Sequence, residues 1–162
     1  MGQGTRYTCR KCGFEFTSMR GVGFLFPTVY QETLAKAKEG ELGKEIKKFL
    51  EEHPDGAINV DRVSLCCDDC GDLVGGNDLG MYVPEKEMPL SDGNSRWCVA
   101  IPQKGISYVT SWDLDKYYTK YADYPHVCQK CKGRMHIVKE SEALQCPKCK
   151  EPLEDTDRFM WD

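Results

Sequence analysis

Cysteines spaced two residues apart are the residues here most able to do chemistry. Cys9/Cys12, Cys67/Cys70, Cys128/Cys131 and Cys146/Cys149 take up eight of the ten cysteines. Two residues between thiols is the span of a tight turn, or knuckle, that faces both sulfurs toward one ion. Two knuckles complete a tetrahedral four-thiolate site. Eight ligands therefore predict two metal ions, with Zn2+ expected in both sites. Such sites leave no open coordination position, so they read as structural rather than catalytic.

The same spacing could serve disulfides, which makes the compartment matter. Met1–Arg6 has no apolar stretch of the secretory-signal type, and no segment approaches the roughly 20 apolar residues of a membrane span. Met1-Gly2 opens like a myristoylation signal, but Arg6 stands where that motif wants Ser or Thr. The expectation is a cytoplasmic, reducing location without membrane association, where paired cysteines serve metals more often than disulfides. Hydrophobic residues make up 40% of 162, a modest supply for a core. Metal binding compensates, because its free energy becomes folding free energy.

Spacing also suggests which knuckles share an ion. Only 14 residues separate Cys131 from Cys146, room for a short hairpin. Met135–Val138 would go out, Glu140–Glu142 turn, and Ala143–Gln145 return. That predicts a self-contained zinc ribbon between His126 and Leu153, able to fold with zinc as a peptide. Cys9/Cys12 would then pair with Cys67/Cys70, each followed by a glycine (Gly13, Gly71) free to adopt positive φ. Cys66 could compete through Cys66/Cys70, but three intervening residues break the knuckle pattern. The expectation is that Cys67 ligates and Cys66 points away along its strand. Cys98, within the apolar run Trp97–Ile101, reads as a buried core residue.

The expected architecture is α+β: two four-cysteine zinc ribbons, the first interrupted by a helical insert. Domain one would span residues 1–124 and domain two 125–162. Phe14–Thr17 alternates as a strand. Gly21–Pro27 is an apolar loop, read first as core and second as a docking loop. Thr28–Glu39 forms a helix, with Thr28 and Gln31 as a capping box. Lys44–Glu52 is a second helix, with Leu42, Ile46, Phe49 and Leu50 on one face. The N-terminal site should form only when these helices also pack, so that removing its metal releases the helical insert with it. His53 ends the second helix. Met81–Val83 suggests an edge strand, Trp97–Ile101 with Ser107–Val109 a hairpin, and Trp112–Tyr121 an aromatic helix capped by Ser111. Asp123–Pro125 is the linker.

The first knuckle, Tyr7-Thr-Cys-Arg-Lys-Cys-Gly-Phe, resembles the opening of rubredoxins, and Cys67-Asp-Asp-Cys-Gly resembles their second knuckle. The resemblance covers about a dozen residues and departs from the family in its long insert and in lacking Pro after Cys67. It implies iron as the alternative ion in the N-terminal site, and one-electron transfer as the alternative function. Beyond the knuckles the chain resembles small bacterial zinc-ribbon proteins, which implies no activity.

The sequence supplies no catalytic constellation: no His-Glu-x-x-His, no zinc-deaminase signature, no serine elbow and no phosphate-binding glycine loop. The chain reads as a non-enzyme. Its net charge is −4. Two four-thiolate sites carry it to roughly −8 by formal count, which opposes general phosphate binding. Locally, Lys130, Lys132, Arg134, Lys139, Lys148 and Lys150 form a basic set that could meet nucleic acid. The leading expectation is a zinc-stabilised adaptor with a protein partner. Its candidate contacts are the Phe24–Phe26 loop, the aromatic helix and the tail Phe159–Trp161.

Overall fold

The computed structural model describes residues 2–85 and 108–161. In chain order its elements are β1 (Gly2–Thr8), β2 (Glu15–Arg20), α1 (Phe26–Glu39), α2 (Lys44–Glu52), β3 (Ala57–Ile58), β4 (Arg62–Cys67), β5 (Leu73–Asn77), β6 (Met81–Pro84), α3 (Ser111–Tyr117), β7 (Tyr118–Ala122), β8 (Met135–Ile137) and β9 (Glu154–Trp161). The class is α+β. No described helix is long and apolar enough to cross a membrane. Cys98 and most of the expected Trp97–Val109 hairpin lie outside the described residues.

The chain divides into two compact units, each drawn from separated stretches. Met1–Phe24, Arg62–Asp78 and Pro125–Asp162 form one; Leu25–Asp61 and Leu79–Tyr124 form the other. A cut between residues 124 and 125 is thus one of several crossings between units. It does not separate an N-terminal domain from a C-terminal one.

The first unit contains two antiparallel sheets, ordered β2-β1-β9 and β5-β4-β8. β1 lies at the centre of its sheet, paired along both edges, and its two faces differ. Gly2 stands opposite Trp161 and Gly4 opposite Phe159. A Cβ at either glycine would overlap the facing ring, so the missing side chains let both aromatics lie across the strand. The aromatic tail therefore docks on its own body as β9, although Met160 remains exposed. On the other face, Tyr7 and Phe16 pack against Leu73, Val138 and Leu144. Ser18 of β2 and Ser64 of β4 join the two sheets by a buried 2.8 Å hydrogen bond.

This topology overturns the expected C-terminal hairpin. β8 pairs with β4, placing Cys67 opposite Met135, and does not fold back on 143–145. Leu144 is instead a core residue of the same unit. Pairing β8 with an existing hairpin, with Met135 buried and Ile137 packed against the same cluster, gains more apolar contact than an isolated two-strand ribbon offers.

The second unit has a more conventional core. α1 buries Phe26, Tyr30, Thr33 and Ala37 at helical spacing, and Gly40 ends it at φ 89°. It begins two residues before Thr28 and lacks a side-chain cap, so the expected capping box does not form; Pro27 in the first turn supplies the start. α2 follows its expected span and buries Ile46, Phe49 and Leu50. α3 opens with a real capping box between Thr110 and Asp113, one residue earlier than expected. It stops at Tyr117, where Tyr118-Thr-Lys-Tyr, rich in strand formers, becomes β7. β6 is central in the order β3-β6-β7, not an edge. His53 closes α2 and its ring packs between Phe49 and Tyr121.

Candidate metal centres

Each knuckle is a short loop between strands with the same backbone. The residue after the second cysteine donates its N–H to the first cysteine's carbonyl: Gly13 to Cys9 at 2.9 Å, Gly71 to Cys67 at 3.0 Å, Lys132 to Cys128 at 2.9 Å and Lys150 to Cys146 at 2.9 Å. That residue has positive φ in all four, 69° and 74° at the two glycines and 64° at both lysines. The sequence pointed to Gly13 and Gly71. It gave no sign of Lys132 and Lys150, since lysine rarely takes this conformation.

All eight predicted ligands are gathered into two groups of four, but the partners are exchanged relative to expectation. Cys9 and Cys12 meet Cys146 and Cys149; Cys67 and Cys70 meet Cys128 and Cys131. The outer site joins the two ends of the described chain, and the inner site lies wholly between its knuckles. Neither a ribbon confined to 126–153 nor a Cys9/Cys12/Cys67/Cys70 site exists in this fold. The strands decide the matter. Cys9/Cys12 joins β1 to β2 while Cys146/Cys149 leads into β9, which pairs with β1 over its whole length. Likewise Cys67/Cys70 joins β4 to β5, and Cys128/Cys131 leads into β8 beside β4. Cys12 and Cys146 lie 134 positions apart, yet lengthening a loop from 14 residues to that span costs only about 2 kcal/mol. Sheet pairing outweighs that.

The donor sets fit a four-thiolate metal. In the outer site Cys9 and Cys149 Sγ are 3.4 Å apart, Cys12 and Cys146 3.5 Å, and Cys12 and Cys149 3.6 Å. In the inner site Cys67 and Cys131 are 3.4 Å apart and Cys70 and Cys128 3.8 Å. A disulfide would bring sulfurs to about 2.05 Å; a tetrahedron with bonds of about 2.3 Å sets them near 3.8 Å. Every described cysteine is a free thiol. Cys66 lies outside both groups, half-buried beside the Leu73 cluster, with its thiol raised by burial and then by Glu142.

The local electrostatics suit a cation. Backbone N–H groups of Cys70 and Asp69 hold Cys67 down to about 7 against its burial. Cys146 is opposed by burial, but the N–H groups of Cys149 and Lys148 bring it to about 6. Cys131 and Cys149 each receive one lowering N–H contact, from Gly133 and Glu151, yet neighbouring thiols push both to about 12. Four thiolates this close do not all ionise without a positive ion among them.

Salt bridges close each site from outside. Lys11 meets Glu151 at 2.9 Å across the outer knuckles, and Lys130 meets Asp72 at 3.2 Å across the inner ones. The basic set is thereby dispersed: Lys148 lies over the Phe14 ring at 5.7 Å and Lys150 reaches the Cys70 carbonyl. In the apolar loop Phe26 is buried, whereas Phe24 is 82% exposed and Leu25 73%. The core reading holds for Phe26 alone. Trp112 is 85% exposed, while Tyr118 is buried. Comparison with protein-family models, with curated proteins and with solved structures finds no match to this chain.

Proposed function

We propose that this protein is a non-catalytic adaptor whose double-ribbon unit is held by two structural zinc ions. The observation that carries this reading is the closure of all eight paired cysteines into two complete tetrads, a donor set without an open position for substrate. The exposed side chains Phe24, Leu25 and Trp112 supply apolar contact points for a protein partner. The nucleic-acid alternative is weaker because Lys130, Lys148 and Lys150 are engaged within the protein. Iron would suit the same sulfur geometry in either tetrad, and a coloured protein would identify it.

Native mass spectrometry of paired variants tests the sites. Wild type is expected to carry two zinc ions, Cys9→Ser with Cys146→Ser to keep one, and Cys9→Ser with Cys67→Ser to keep none. If that last variant kept one, the partners would be the sequential ones. For the adaptor role, Phe24→Asp and Trp112→Asp should lose a cross-linked protein partner while retaining both metals. Salt-sensitive binding of RNA by the unaltered protein, without any protein partner, would replace the adaptor reading with the nucleic-acid one.

A further inference from the structure

One side chain connects the two tetrads. Lys150 directly follows Cys149, the last ligand of the outer site, and its Nζ donates to the carbonyl oxygen of Cys70, a ligand of the inner site, at 2.8 Å. The fit is close: Nζ would stand 2.9 Å from a Cβ built on Gly71, so glycine there makes room for the amine as well as for the turn. Lys150 also occupies a left-handed conformation, φ 64°. Glycine would serve that backbone better, as Gly13 and Gly71 do at the equivalent places in their knuckles. Lys132 takes the same conformation in its own knuckle, so it is the contact with Cys70 that singles Lys150 out.

Chain topology adds a second link. Closing the outer site from Cys12 to Cys146 spans 134 positions. Cys70 and Cys128, which the inner site joins, are 58 positions apart. With the inner site closed, the open path shortens from 134 to about 76 positions, which favours outer closure roughly twofold. The Lys150 hydrogen bond, available only when both knuckle regions are ordered, adds about two- to tenfold.

We propose that the two metal sites fill cooperatively and that Lys150 is the residue that couples them. This rests on the metal reading above. Each ion orders one end of the Lys150–Cys70 contact, so each raises the other's affinity by the same factor, about tenfold in all. The device keeps the unit from persisting in a half-loaded state.

The test is a Co2+ titration of the full reduced chain, read by thiolate charge-transfer absorption and by native mass spectrometry. In wild type the one-metal species should peak near a quarter of the chains, against about half for independent sites of equal affinity. Cys67→Ser with Cys70→Ser should bind its single ion at the outer site about tenfold more weakly. Because that variant disturbs the inner ribbon, Lys150→Gly provides a gentler cut. It suits the backbone, removes the side chain with its amine, and should populate the one-metal species while still binding two ions. Lys132→Gly makes the same backbone change in the inner knuckle and should leave the coupling at its wild-type value. Independent filling in wild type, or unchanged coupling in Lys150→Gly, would overturn the proposal. A chain that takes up fewer than two ions fails at the metal reading itself, and the stoichiometry reveals that before any coupling is measured.

Discussion

In the unit formed by residues 25–61 and 79–124, helices bury Tyr30, Ile46, Phe49 and Leu50, and Ile58, Leu114 and Tyr118 are buried with them. In the unit that carries the tetrads the apolar clusters are small: Leu65, Cys67, Cys128 and Met135 in one, Leu73, Val138 and Leu144 in the other. A chain of this length has apolar residues enough for one ordinary core, and it concentrates them. The other unit carries two cysteine tetrads that could hold metal, and a structural zinc in such a site would contribute about 10–16 kcal/mol of folding free energy where no preformed site exists. The difference also bears on an expectation: the helices have buried residues of their own, so their packing should not wait for a metal.

Metal removal should break the symmetry between the units most forcefully. A strong chelator is expected to release amide-exchange protection across β1, β2, β4, β8 and β9 while the amides of α1 and α2 stay protected. Simultaneous loss in both would show that the helical unit depends on metal after all. The converse perturbation is Phe49→Ala, which removes a buried ring and should cost the helical unit about 3–5 kcal/mol. Native mass spectrometry of that variant should still find two ions. Within the metal unit, Gly4→Val would drive a side chain into the Phe159 ring. Overpacking of this kind costs about 1–3 kcal/mol, seen as a lower midpoint of metal-dependent unfolding with unchanged stoichiometry.

The smallest effect expected is a pH dependence. His136 sits between Glu142, 2.9 Å from Nε2, and Asp68, 2.6 Å from Nδ1. These carboxylates, Glu142 first, raise its pKa above the ordinary 6.5. A group raised on folding stabilises most below its unfolded value, and the contribution fades as pH climbs through the folded one. The metal-loaded protein should therefore lose a little stability as pH rises above about 6.5 and through the raised pKa of His136. His136→Asn should abolish that slope; a slope that persists would assign it to other groups.

Ligand identity was legible because the knuckle is a local device: its turn, its spacing and its following residue lie within five positions. The choice of Cys67 over Cys66 was legible for the same reason, and so was α2, whose apolar stripe is written within nine residues. Ligand partnership was not. Nothing in Cys9–Cys12 records whether it faces Cys67 or Cys146, because that depends on which strand lies beside β1, and β9 is more than a hundred residues away in the chain. Proximity in sequence was a poor guide because loop entropy grows only logarithmically. The end of α3 was missed where strand preference in Tyr118–Ala122 overrode an aromatic pattern that suits either state. The role of Lys150 was hidden because a lysine beside a metal site has an ordinary electrostatic explanation.

The exchanged partnership acquires another meaning when the chain is considered as it is made. Synthesis from the N-terminus delivers Cys9, Cys12, Cys67 and Cys70 first, four thiols with the spacing for a tetrad but with no shared place in the finished fold. An ion that bridges them early has to be surrendered before Cys128–Cys131 and Cys146–Cys149 can claim their partners. Metal exchange between thiolates would then be a step on the way to the native protein, and free zinc during refolding is expected to slow it rather than speed it.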